Sequence, residues 1–209
     1  MKDLIDKIVK LEWAFFDGVQ NIGGRASCQD DWETFQIMRS SQYEAWSRPM
    51  LESHSEYLMN ARLDGRNPLT EKYGYMMIIS DPEKSRDVAE RLPQVSEEKK
   101  KICRRITERL LPLNENFRKR CPRLAGRARP LRTEDERPGG MTSVETYQLG
   151  ELCTYSMQTL TLFEEHLDAL EAAGENFVEK IIEGGVKRRG FPSLEAAEKY
   201  LAEREPKRE

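Results

Sequence analysis

The chain is poor in histidine. Of 209 residues only His54 and His166 carry an imidazole, and both lie in stretches that read as surface helix. Imidazole is a leading ligand of zinc and the usual base beside a nucleophilic serine or cysteine. Its scarcity counts against a zinc site and against histidine-assisted covalent catalysis. Cysteine is sparse too. Cys28, Cys103, Cys121 and Cys153 are widely spaced with no CxxC pair, which predicts free thiols in a reducing cytoplasm. No apolar run approaches the roughly 18 residues of a membrane span. The opening "MKDLIDKIVKLEW" mixes acids into a helical apolar stripe and lacks the unbroken apolar core of a secretory signal. Neither GxxxxGK[ST] nor GxGxxG occurs, so no phosphate-cradling loop is expected. A net charge of −3 removes any global argument for nucleic acid.

What remains is helix. Charged residues make up 34% of the chain and hydrophobic ones 38%, a balance typical of soluble helical proteins. Leu4, Ile8, Leu11, Phe15 and Val19 follow the three-four rhythm of a first helix, expected to stop near Gly23-Gly24. Asp30 or Asp31 then caps a helix carrying Trp32, Phe35, Ile37 and Trp46. Ser47 and Pro49 begin a third, ending at Gly65. "NPLTEKYGYMMIIS" reads as a fourth, closed by Asp81-Pro82, which open the next. Ser96 caps a long charged helix that Pro112 should kink or end. Pro122 to Gly140 is the least regular stretch. Thr142 with Glu145 fits a capping box for a helix running to about Ala173, and two shorter helices follow, the second capped by Ser193. No strand, repeat or low-complexity segment is evident. The expectation is an all-α protein, an irregular bundle of about eight or nine helices around a buried central helix. It should form one domain over residues 1–205, with a charged tail at 206–209.

The central helix announces itself by a shortage of charge. At the chain's average, the twenty residues "VETYQLGELCTYSMQTLTLF" would hold about seven charges, yet they hold two, Glu145 and Glu151. Glu145 is explained as a cap; Glu151 is not. Leu149, Leu152, Ser156, Leu160 and Phe163 share one face, and Tyr147, Glu151, Tyr155 and Gln158 lie on another. A helix apolar on one side and uncharged on the other is buried all round, and its polar face then needs partners. In the first helix Glu12 sits on the apolar stripe between Val9 and Phe16, a second inward carboxylate. Arginine is the natural partner, because its planar fork satisfies a carboxylate at two points and keeps its charge when buried. Arg25, Arg39, Arg127 and Arg129 are the candidates.

"NIGGRASCQDD" delivers Arg25, Cys28, Gln29, Asp30 and Asp31 to the start of the second helix, where backbone N–H groups favour anions. Loop, helix start and central polar face can converge on one pocket binding a small anionic or zwitterionic molecule. Arg25, Arg39, Arg127 and Arg129 would hold its negative group. Tyr147 and Tyr155 would supply hydrogen bonds, and Glu151 or Glu12 acid or base if chemistry occurs. The competing account is a salt-bridge network that only fixes the register of the bundle. Cys28, just before a helix start, could be a nucleophile but reads better as a packing cysteine. Glu12, Asp30, Asp31 and Glu151 could gather magnesium or manganese. The local pairing such sites show is missing except at Glu195 and Glu198 on a charged terminal helix, so no metal is assigned and no cofactor is identified. Arg118 to Arg132 holds seven basic residues and no acid. It lacks aromatics for base stacking and is followed by "TEDE", so nucleic acid is not the expected partner.

Four segments, "LEWAFFDGVQNIGGRASCQDD", "LTEKYGYMM", "LAGRARP" and "ETYQLGELCTYS", together resemble a bacterial family catalogued as domain of unknown function 4125. They are spread over most of the chain. The resemblance implies a small helical cytoplasmic protein, in some relatives joined to a nucleotidyltransferase-like domain, and it brings no activity with it. It also implies serine in many members where this chain has Cys153, so that thiol is not expected to be essential. The alternative to the ligand-binding reading is a non-catalytic helical module that docks on such a nucleotidyltransferase-like or other partner protein.

Overall fold

The computed structural model describes residues 1–21, 23–126, 129–137 and 139–204. Arg127 and the tail at 206–209 lie outside them. Helix is the only regular structure among the described residues, with eleven helices, nine of them of at least seven residues. In chain order they are α1 (Lys2–Asp17), α2 (Trp32–Glu44), α3 (Arg48–Leu63), α4 (Pro68–Ser80), α5 (Arg86–Ala89), α6 (Glu97–Arg120), α7 (Pro122–Ala125), α8 (Val144–Thr154), α9 (Met157–Ala172), α10 (Phe177–Arg188) and α11 (Leu194–Arg204). Among the described residues no helix is long and apolar enough to cross a membrane.

Side-chain caps set most of the starts. Asp31 accepts from Thr34 N, Ser47 from Met50 N, Asn67 from Leu69 N and Thr70 N, and Ser96 from Lys99 N, each satisfying donors that the first turn leaves open. Several expected boundaries move. α1 stops at Asp17, capped by Gly18, well before Gly23-Gly24, because Gln29 captures the carbonyls at its end, as shown below. Trp46 lies beyond α2, buried in the core. α6 runs straight through Pro112. Its ring lies on the exposed side, while Ile106, Leu110, Leu111 and Phe117 anchor the helix before and after it. The stretch expected to be one helix from Thr142 to Ala173 is two, broken at Tyr155, which is extended, and restarted by Ser156, whose hydroxyl accepts from Thr159 N. Gln158 therefore falls on the exposed surface instead of beside Tyr155. The cap of α8 is Ser143, which accepts from Thr146 N. The Glu145 carboxylate turns outward to Thr133 N at 2.9 Å.

α8 is the buried centre. It packs against α4 on one side and α6 on the other, while α2 bridges α1 and α10. The α4–α8 approach is close because position 150 has no side chain. A Cβ at Gly150 would meet Met76 Cγ at 2.5 Å and the Lys72 carbonyl oxygen at 3.0 Å. This contact brings the Lys72 backbone against α8, one residue from Glu151. Gly150→Ala should therefore lower the stability to urea unfolding by about 2 kcal/mol, the usual range for overpacking, whereas Gly23→Ala, with open space around it, should change it little.

Candidate functional site

Four charged side chains meet in the interior in alternating order: Lys72, Glu151, Arg39, Glu12. All are at least nine-tenths buried. Arg39 comes from the middle of α2 and uses every N–H of its guanidinium. Nε and Nη2 grip the two Glu12 oxygens at 2.7 and 2.6 Å. Nη2 also reaches the Tyr43 hydroxyl at 2.7 Å. Nη1 donates to Glu151 Oε1 at 2.8 Å and to Gln42 Oε1 at 2.7 Å. Glu151 Oε1 accepts further from Tyr155 OH at 2.8 Å and Gln42 Nε2 at 3.0 Å, and its Oε2 takes the Lys72 ammonium at 2.6 Å. That ammonium also lies 3.6 Å from the centre of the Tyr147 ring, a cation–π contact strengthened by burial.

The second carboxylate has its own support. The Tyr43 hydroxyl donates to Glu12 Oε1 at 2.6 Å and stands 3.1 Å from His54 Nε2. His54 is fully buried, which corrects its reading as a surface residue. It packs edge-on against Trp46 and Tyr155. Two carboxylates, one guanidinium and one ammonium sum to zero charge, so the cluster avoids the cost of an uncompensated buried ion.

Burial alone would push the Glu12 carboxyl up. The Arg39 charge, with His54 3.7 Å away and the hydrogen bonds from Arg39, overrides it and holds Glu12 down to about 2. Glu151 goes the same way: burial opposes ionisation, and Arg39 and Lys72 outweigh it. Burial works against the Lys72 ammonium, but Glu151 keeps its pKa above the usual lysine range. Inside the cluster the void among Glu12, Arg39, His54, Lys72 and Glu151 is about 10 Å³, room for no more than one water.

The loop after α1 does a different job. Gln29 is buried and donates through Nε2 to Phe16 O and Val19 O, both at 2.9 Å, while its Oε1 accepts from Ala26 N and Asn21 Nδ2, also at 2.9 Å. One amide thus satisfies the carbonyls at the end of α1 and closes the turn. Arg25, half exposed, clasps the loop from outside through Asp17 at 2.7 Å and Asp30 at 2.9 Å. Asp31 caps α2, and Cys28 is exposed. Arg129 lies with its guanidinium 4.9 Å from the Tyr147 ring centre and donates to Thr142 O at 3.1 Å. Of the predicted site residues, Glu12, Arg39, Glu151 and Tyr155 bond directly to one another. Tyr147 joins through Lys72, and Arg129 touches the edge. Arg25, Gln29, Asp30 and Asp31 make their contacts in the loop and at the helix ends it joins, away from the ion cluster. Among the described residues no group of three or more His, Cys, Asp and Glu is placed to hold a metal ion.

Outward from Glu151 the structure opens. A cleft of about 250 Å³ is lined by Glu151, Gln42 and Tyr155 together with Phe163, Phe177, Ile181 and Ile182, and by Tyr147, Gln148 and Asn114.

The family described as Protein of unknown function (DUF4125) matches residues 2–199. The chain belongs to it. No curated protein and no solved structure matches. Three of the four segments that carry the family resemblance each deliver part of the ion cluster: Glu12 from "LEWAFF", Lys72 from "LTEKYGYMM", and Glu151 with Tyr155 from "ETYQLGELCTYS". Lys72 is the member that sequence reasoning missed. Its position three after Leu69 and four before Met76 puts it on the apolar stripe of α4, the same signal that marked Glu12.

Two outcomes test the cluster. Arg39→Met leaves both carboxylates without their shared partner and should cost roughly 3–5 kcal/mol in denaturant unfolding. The wild-type chain should also show acid sensitivity of defined sign. A carboxylate held at about 2, against an ordinary 4.5, stabilises the fold above that ordinary value, and its contribution is lost as pH falls toward 2. The loss for Glu12 should be about 3 kcal/mol. Glu12→Gln should flatten that part of the stability–pH curve.

Proposed function

We propose that this chain binds a small molecule bearing an amine, zwitterionic or cationic, with an apolar body, in the cleft over Glu151. The observation that carries the reading is the lining: the polar groups of Glu151, Gln42 and Tyr155 among phenylalanine and isoleucine side chains. Its volume is just below the roughly 300–1,000 Å³ of drug-sized pockets, which suits a metabolite. Within the anionic and zwitterionic classes suggested by sequence, the lining favours the zwitterion. Among the described residues no arginine or lysine lines the cleft, and the Arg39 donors behind it are fully engaged. A ligand carboxylate thus has no cation to meet, whereas an ammonium has the oxygens of Glu151, Gln42 and Gln148. Arg39 and Lys72 hold Glu151 ionised against burial, and its Oε2 takes a single bond, from Lys72; this supports a fixed acceptor more than a proton carrier, so binding is favoured over acid–base chemistry. The ion cluster behind the cleft holds Glu151 and Tyr155 in place, as preorganised sites require.

The test is a thermal-shift series with branched and aromatic amino acids, the amines that lack their carboxylate, and the acids that lack their amine. At about 100 times Kd a ligand adds about 2.7 kcal/mol, read as roughly 5–10 °C in Tm for a chain of this size. Amine-bearing compounds should give the shift and the plain acids should not. Ile181→Trp, which fills the cleft from its partly exposed wall, should abolish it while leaving the unliganded Tm close to wild type. A shift that survives Ile181→Trp, a preference for the plain acids, or no shift with any amine would each refute the reading.

A further inference from the structure

On the other side of α8 from Glu151, a second groove of about 740 Å³ runs between α4, the segment around Leu92 to Ser96, and α6. Its walls include Tyr75, Ile78, Ile79 and Leu149, and two cysteines, Cys103 from α6 and Cys153 from α8, line it together. The two are unlike. Cys103 is 1% exposed, while Cys153 is only partly buried. Lys100 and Arg104, flanking Cys103 on α6, line the same groove. The neighbouring Cys103 and the charges of Lys99, Lys100 and Arg104 outweigh burial and hold the Cys153 thiol below its ordinary value. Cys153 and burial push the Cys103 thiol the other way. An accessible sulfur favoured as thiolate beside a buried thiol is the arrangement of an attacking and a resolving cysteine.

We propose that Cys153 and Cys103 form a hydroperoxide-oxidisable pair that closes to a reversible disulfide between α8 and α6. In the first step the Cys153 thiolate attacks one oxygen of a hydroperoxide. The S–O bond forms, the O–O bond breaks, and the departing oxygen takes a proton and leaves as water or alcohol. Cys153 is then a sulfenic acid. In the second step the Cys103 sulfur attacks the Cys153 sulfur, the S–S bond forms, the S–O bond breaks, and the hydroxyl leaves as water with the Cys103 proton. Two thiols have lost two electrons, and the hydroperoxide has been reduced by the same two. The order of attack follows from exposure, since Cys103 is 1% exposed and Cys153 only partly buried, so an oxidant entering the groove meets Cys153 first.

The experiment uses the full chain with Cys28→Ser and Cys121→Ser, so that the pair supplies the only thiols. Hydrogen peroxide should take the free-thiol titre from two to zero in the monomer, with a tryptic cross-link joining the peptides of Cys103 and Cys153. Dithiothreitol should restore both thiols. Adding Cys103→Ser should stop the reaction at a sulfenic acid on Cys153, trapped by dimedone. Adding Cys153→Ser should leave Cys103 unreacted in folded protein, as judged by unchanged circular dichroism. Loss of thiols without the 103–153 cross-link, a disulfide between two chains, Cys103 reacting as fast once Cys153 is gone, or no loss of thiol at all would overturn the proposal.

Discussion

Everything in this fold turns on one guanidinium. Arg39 has five N–H donors and places all five, on two carboxylates, one tyrosine and one amide. The carboxylates come from α1 and α8, at opposite ends of the sequence, so one side chain from α2 fixes three helices at once. Apolar packing alone tolerates small slides of one helix along another. A fork with two parallel bonds to Glu12 does not, because a shift of an ångström would leave a buried carboxylate unpaired. The cluster gains the fold more in register than in net energy, since the desolvation of four ions offsets most of their attraction. Neutral total charge makes it tolerable, and tyrosine hydroxyls on both carboxylates complete the shell.

Much of this was legible in the sequence, and for stated reasons. Glu151 stood out because its helix has too few charges around it, and Glu12 because it interrupts an apolar stripe. Arg39 followed from the need for a partner. What stayed hidden was of two kinds. Lys72 sits next to Glu71 at the start of α4, so it reads as one half of a surface pair. In fact Glu71 turns to Arg66, at 2.7 and 2.9 Å, and Lys72 turns inward. His54 is flanked by Glu52 and Glu56, both exposed, and their charge masked a buried ring. Long-range pairing decides both cases; for Lys72 the local sign was its place on the apolar stripe of α4, which the adjacent Glu71 obscured.

The glycine-rich loop shows the opposite error. Its density of polar groups suggested chemistry, but the structure uses Gln29, Arg25, Asp30 and Asp31 to finish one helix and begin the next. The cause is a general constraint: a chain that leaves a helix in the interior must satisfy the last carbonyls, and a buried glutamine amide does so with two donors. The break at Tyr155-Ser156 has a similar origin. Ser156 offers the backbone a cap at Thr159, and extending Tyr155 swings its hydroxyl onto Glu151. The interruption of the helix and the completion of the ion cluster are therefore one event.

α8 emerges as the element through which separate features communicate. Within four residues it presents Gly150 to α4, Glu151 to the ion cluster and the cleft, and Cys153 to the groove beside α6. Lys72 reaches Glu151 because Gly150 lets the α4 backbone come close, and Glu151 faces the cleft in a fixed pose because Lys72 and Arg39 hold it from behind. The helix is only Val144–Thr154 and is buried against neighbours on both sides, so it moves as a rigid unit or not at all. A covalent tie from its Cys153 face to α6 would act on the same short rod that carries Glu151. The rod's stiffness follows from the absence of a side chain at 150 and the saturation of Arg39, two features set by single residues in a chain otherwise built from ordinary amphipathic helices.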